Sequence, residues 1–343
     1  MFISDFDFDL PDDLIAQEPL SERDDSRMLV VQRGSATLID EQFTAFPHYL
    51  EKSDVVVLNN TKVFPARLIG ASETGATIEL FLIEELEENT WITLARPARR
   101  LSPGKKIIFG EALTMEVLEK TSAGKVIVRY KTEGKFDDIV QKIGRTPLPP
   151  YIKRDHAEID ADRDRYQTIY ASNRGAIAAP TAGLHFTPKI FDAIKNVGAT
   201  IAEITLHVGY GTFEPVRVNK LSEHAVSSER YEIDQQNAEI LSKAKSDKNR
   251  IIAIGTTTTR ALESSMAKYG RFAAGHDRAD LTITPGHKFR AVNALLTNFH
   301  LPQSSLLVLV STFGGHELIM NAYRHAVAFN YRFYSYGDCM LIV

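Results

Sequence analysis

Residues 175–188 read GAIAAPTAGLHFTP, a run of small residues with no acid, lysine or arginine and one titratable ring, His185. Small residues let a backbone come close to a partner, and an imidazole changes charge near neutral pH. Four further segments pair a short apolar run with polar residues. VVVLNNTKVFPARL ends in Asn59, Asn60 and Thr61, with Lys62 and Arg67 close behind. ITLHVGYGTFEPV carries His207, Gly209, Gly211 and Thr212. RIIAIGTTTTRALES passes through Gly255 into four threonines, and LLTNFHLPQSS carries Asn298 and His300. The threonine run opens a helix, where free N–H groups and hydroxyls suit a carboxylate or a phosphate. Each segment alone has a structural reading: Asn-Asn-Thr as a turn, the threonines as caps, the histidines as satisfied buried rings. Their number in one domain favours a site.

The elements that must hold these loops follow from pattern. After residue 150, helix and strand alternate. Thr187 and Pro188 start a helix that Gly198 stops, ATIAEITLHV is a strand, and Asp234 opens a helix through EILSKAKS. RIIAIG is a buried strand, and the helix after it closes at Gly270. That alternation predicts an α/β layered domain, with VVVLNN as one more buried strand. In such domains, strand ends followed by small or polar residues are where sites form. Between residues 61 and 150 the chain changes character. TIELFLI, TWITLA, KKIIF and KVIVRY are short strands that predict a small antiparallel barrel or sandwich, and TPLPPYI predicts an extended connector. The expected architecture is a discontinuous α/β domain, residues 1–60 and 151–343, interrupted by a β-barrel domain at 61–150.

With 343 residues, 44% hydrophobic and 24% charged, the composition is that of a globular protein. A net charge of −4 assigns any nucleic-acid contact to a local patch. ARPARRLSPGKK offers one, with Arg99, Arg100, Lys105 and Lys106, although a solvated hairpin reads the same way. The single cysteine, Cys339, reads as a packing residue, and the acidic start MFISDFDFDLPDD lacks the basic region of a secretory signal. A cytoplasmic location is expected. The G-Y-G after a strand is followed by FEPVRV and not by a helix, which excludes a dinucleotide loop. No P-loop, HExxH or Cys/His ligand spacing points to a metal.

Nine segments in order, among them SRML, NNTKVFPARL, GRTPLPPYI, GAIAAPTAGLHFT, ITLHVGYGTFEPV, IGTTTTRALES, LLTNFHLPQSSLLVLVS and YRFYSYGDCM, closely resemble the S-adenosylmethionine:tRNA ribosyltransferase-isomerase family of queuosine biosynthesis. The resemblance runs from Asp5 to Ile342. It departs at Cys339 and Tyr334, where the family usually has Ala and Phe, and at the later threonines and VSTFGG. It implies transfer of the ribosyl part of S-adenosylmethionine to 7-aminomethyl-7-deazaguanine at the wobble position of tRNA, giving epoxyqueuosine, adenine and methionine. It implies an α/β domain with an inserted barrel, acting in the cytoplasm without a metal; no apolar run approaches a membrane span, no tightly bound cofactor is expected, and a monomer is the default expectation. A base must take a proton from the carbon beside the sulfonium, and His185, His207, His300, Glu263 and Asp338 are the candidates within matching motifs. His207 is favoured, at a strand end beside a glycine pair. Thr181, Gly183, Gly209, Gly211, Thr212, Thr256, Thr257, Arg260, Asn298 and His300 are expected to bind S-adenosylmethionine. Asn59, Asn60, Lys62, Arg67, Arg99, Arg100 and Arg332 are expected to meet tRNA. A methyltransferase, or an RNA-binding protein without activity, are the other readings.

Overall fold

The computed structural model describes residues 1–122, 124–154, 160–213 and 216–343. They divide into two compact units. The first holds Met1–Lys62, Pro150–Lys153 and Arg165–Val343; the second holds Val63–Pro149 and Arg154–Asp164.

The first unit is built on a nine-stranded sheet. Its centre is parallel: Val55–Asn59 lies between Thr200–Leu206 and Ile251–Ile254, and Ala294–Asn298 follows. Every residue of Val55–Asn59, Ile251–Ile254, Ala294–Asn298 and Cys339–Ile342 is buried. Unbroken apolar runs of this kind mark strands covered on both faces. One face packs Val56, Leu58, Ile252, Ile254 and Leu296 against Phe43, Phe46, Phe186, Ile190 and Ile194. Cys339 belongs to that cluster, and burial pushes its thiol well above the ordinary range. The helix Pro188–Val197 begins where its sequence requires, with Thr187 Oγ1 accepting from the Ile190 N–H, and ends at Gly198 with φ 88°. Asp234 caps Gln235–Ser246 in the same way.

The outer strands Thr37–Gln42 and Gly275–Ala279 carry no legible pattern. TLIDEQ is half exposed and GHDRA lacks any β-branched residue. Pairing with Arg27–Gln32 and Glu229–Ile233 makes them strands. Local propensity does not.

The second unit is a closed six-stranded barrel, ordered Val126–Thr132, Thr90–Arg96, Thr77–Glu87, Arg67–Ser72, Lys106–Phe109 and Leu113–Lys120. Antiparallel pairing of the last strand with the first closes it. Alternate residues point inward: Ile78, Leu80 and Leu82 are fully buried while Glu79 and Phe81 between them are not. Gly70 is required for closure, since a Cβ there would sit 2.6 Å from the Ile108 carbonyl. The expected α/β class with a small antiparallel barrel is the one observed.

Candidate active site

Because the central strands are parallel, their carboxyl ends lie along one margin of the sheet. Asn59, Leu206, Ile254 and Asn298 are the terminal residues. Cys339–Ile342 runs antiparallel to Ala294–Asn298, which brings the segment before Cys339 to that margin too. The loops singled out by residue type therefore converge, as the fold class requires.

A cavity of about 720 Å³ opens there within the α/β unit. Its wall includes the Ala178–Ala182 run, whose small side chains leave the room. Of the residues expected to bind substrate, Thr181, Gly211, Thr256, Thr257, Arg260, Asn298 and His300 line it. Gly211 is tightly seated, since a Cβ would come within 2.3 Å of Ser227 Oγ. The side chain of Thr212 lies outside the described residues.

The helix Thr256–Tyr269 starts at this wall. Its N-cap is Gly255, with φ 93° and no side chain to cap the first N–H groups. Those donors and the positive end of the helix dipole face outward together. The four threonines then divide. Thr258 and Thr259 turn their hydroxyls back to the carbonyls of Ile254 and Gly255, at 2.7 and 3.2 Å. Thr257 Oγ1 accepts from Asn59 Nδ2 at 3.3 Å, which leaves its hydrogen to donate elsewhere. Arg260 is less available than its type suggests. Its guanidinium is paired with Glu229 and donates to the carbonyls of Ser227 and Ala279 at 3.1 and 2.9 Å. Glu229 also accepts the Gly209 N–H at 2.8 Å, so Gly209 holds a lining residue in place and is not itself on the wall.

Asn298 joins the cavity to the layer behind it. His185, fully enclosed, contacts Ser26 Oγ at 3.0 Å and Asn298 Oδ1 at 3.2 Å. Asn298 Nδ2 donates to the Tyr334 carbonyl at 2.8 Å. That bond, with Tyr334 N–H donating to Phe299 O at 3.1 Å, holds Tyr334 at φ 73°, a region that bulky residues avoid. The Tyr334 ring faces the cavity 3.9 Å from that of Tyr151, centre to centre. Such a pair offers flat π surface to an aromatic base or to a cation. Burial lowers His185 to about 4, so its ring is neutral and acts as a fixed donor and acceptor.

The other expected catalytic groups are placed differently. His207 stands at its strand end but off the cavity wall, 2.8 Å from Thr61 Oγ1. A Cβ on Gly175 would lie 2.6 Å from its ring, and burial brings it to about 4. Glu263 accepts the backbone N–H groups of Arg290, Ala291 and Val292 at 2.8 to 3.1 Å, anchoring that loop. Asp338 accepts the N–H groups of Arg27 and Arg332 at 2.9 and 2.8 Å. Gly183 also lies off the wall, and any Cβ there would fall 2.0 Å from the Tyr170 hydroxyl.

The residues expected to meet tRNA also separate. Asn59 is internal, bonded to Leu206 O at 3.0 Å and to Leu206 N at 2.9 Å. Asn60 binds Glu203 and Thr205 at 2.8 and 2.7 Å. Arg332 donates to the Glu18 carbonyl. Lys62 is exposed, as are Arg99, Arg100, Lys105 and Lys106 on the barrel, while Arg67 pairs with Glu79 at 2.8 Å. Tyr151, His224 and Glu229 line the cavity without having been singled out, and Tyr334, noted only as a departure from the family pattern, lines it too. Tyr151 sits in a segment legible only as a connector, and His224 in HAVSSE has no flanking signal. Among the described residues no cluster of His, Cys, Asp or Glu could hold a metal ion.

Known proteins resemble this chain over its whole length. The chain is 47% identical over 345 residues to a protein of Syntrophotalea carbinolica and 45% identical over 343 to one of Trichlorobacter lovleyi. All of this chain and all of each relative are covered, and both are named S-adenosylmethionine:tRNA ribosyltransferase-isomerase. A crystal structure of S-adenosylmethionine tRNA ribosyltransferase from Thermotoga maritima matches with a TM-score of 0.57 and 35% identity, covering 99% of this chain and 100% of that one. A family model described as queuosine biosynthesis protein matches residues 3–342, and the chain belongs to that family.

Proposed function

We propose that this enzyme transfers and isomerises the ribosyl moiety of S-adenosylmethionine onto 7-aminomethyl-7-deazaguanine at the wobble position of tRNA. The products are epoxyqueuosine in the tRNA, adenine and methionine. The observation that carries this reading is the cavity at the carboxyl ends of the parallel strands, in a chain that matches its ribosyltransferase-isomerase relatives from end to end. An uncapped helix terminus suits the methionine carboxylate, which Thr256 and Thr257 would receive. The Tyr151–Tyr334 pair suits the adenine ring or the sulfonium. His185 acts as a positioning residue, since it meets the cavity only through Asn298. His207 likewise positions Thr61. The exposed cations Arg99, Arg100, Lys105 and Lys106 on the barrel would meet tRNA phosphates. No helix among the described residues is long and apolar enough to cross a membrane, and we assign the protein to the cytoplasm as a monomer without a tightly bound cofactor.

The test is product analysis with S-adenosylmethionine and tRNA carrying the aminomethyl-deazaguanine base. Adenine, methionine and epoxyqueuosine are expected. Adenosylhomocysteine with a methylated nucleoside would replace this reading with a methyltransferase.

A further inference from the structure

The ribosyl transfer that the family resemblance implies removes a proton from the carbon beside the sulfonium, and the group that takes it must face the cavity. None of His185, His207, Glu263 and Asp338 is on its wall. Among the described residues, three side chains on the wall could accept a proton: Glu229, His300 and His224. Glu229 is committed to Arg260 and to the Gly209 N–H. His300 has Nε2 2.8 Å from Thr297 Oγ1, and burial holds it at about 3, too weak a base for neutral solution.

His224 differs from both. It is half-buried, with Nε2 2.7 Å from Ser305 Oγ. Ser305 opens the helix Ser305–Gly314, whose cap is the neighbouring Ser304, so the hydroxyl that meets the ring sits on a fixed backbone. We infer that His224 is the base that deprotonates the carbon beside the sulfonium, oriented by Ser305. The assignment rests on the ribosyl-transfer reading of the cavity. With Nε2–H donating to Ser305 Oγ, the lone pair is on Nδ1. The C–H bond breaks, its electron pair stays on the carbon next to the positive sulfur, and the proton forms an N–H bond at Nδ1. Burial alone lowers the basicity of His224, so the ring is neutral before the reaction. Its acidic neighbour Glu223 is exposed, and the group that meets it from the facing helix is the Ser305 hydroxyl.

The test is single-turnover adenine release at saturating S-adenosylmethionine and tRNA, with S-adenosylmethionine affinity measured separately by equilibrium dialysis. His224→Gln, which keeps a side-chain partner for Ser305, should slow release by about 100-fold or more with affinity unchanged. Ser305→Ala should move the acid limb of the rate profile to lower pH, because the imidazolium loses the acceptor that stabilises it. Release by His224→Gln at the wild-type rate would overturn the assignment while leaving the proposed reaction in place. So would a defect that disappears at saturating substrate, or an acid limb that stays where it was. A wild-type chain that releases no adenine would overturn the reaction, and the assignment with it.

Discussion

His300 and His185 stand on opposite sides of the strand end at Asn298. His300 is on the cavity wall, while His185 is enclosed behind it with both ring nitrogens engaged, one of them by Asn298 itself. The threonine run repeats the contrast within a single turn of helix. Thr256 and Thr257 line the cavity, and Thr258 and Thr259 return their hydroxyls to the preceding turn. Residue types that could do chemistry occur in both layers. What separates them is whether the residue lines the cavity. The back layer fixes geometry; the front layer can exchange bonds with a ligand.

The largest effect that would test this division belongs to the back layer. Glu263→Ala leaves three backbone N–H groups without their acceptor, and should cost about 3–5 kcal/mol of stability in denaturant unfolding. S-adenosylmethionine affinity of the folded protein should be unchanged; lost affinity at full folding would move Glu263 into the front layer.

Acid should act on the same layer. The His185 ring is lowered from 6.5 to about 4 by burial. The unfolded chain therefore binds the extra proton first as pH falls, so stability should drop between pH 6.5 and 4, by ~3 kcal/mol from this ring. His185→Gln should flatten that part of the curve. An unaltered curve would mean that the ring is not held neutral.

Next in size, Thr257→Val should weaken S-adenosylmethionine binding by about tenfold, the worth of one hydrogen bond to a charged group. Thr258→Val should leave affinity alone and change stability by less than ~1 kcal/mol. Equal effects of the two would erase the distinction between the layers. Smallest is a single surface charge on the barrel. Arg100→Gln should make the salt dependence of tRNA binding shallower by about one in log–log slope, with stability unchanged within about 0.5 kcal/mol.

Much of the scaffold was legible in the chain. Thr187, Pro188 and Gly198 bracket a helix because a cap, a fixed φ and a left-handed terminus are local requirements. VVVLNN, RIIAIG and TIELFLI declare strands because continuous or alternating apolar residues have few other places to go. The site was legible as a set of loops, since strand ends in an α/β layer share a margin. The roles within it were not. GHDRA became a strand only by pairing, and Tyr151 reached the cavity from a proline-rich connector.

The sequence by itself determined the family, the α/β and barrel classes, the helix limits and which loops gather at the strand ends, because these depend on periodicity, capping and motif order. Tertiary structure alone decided which side of each loop faces the cavity. Sequence spacing leaves that open, because two hydroxyls one residue apart point in different directions. Only packing showed that Glu263 and Asp338 spend their carboxylates on backbone N–H groups, that Gly183 makes room for Tyr170, and that His224, from an unmarked segment, meets Ser305 at the wall.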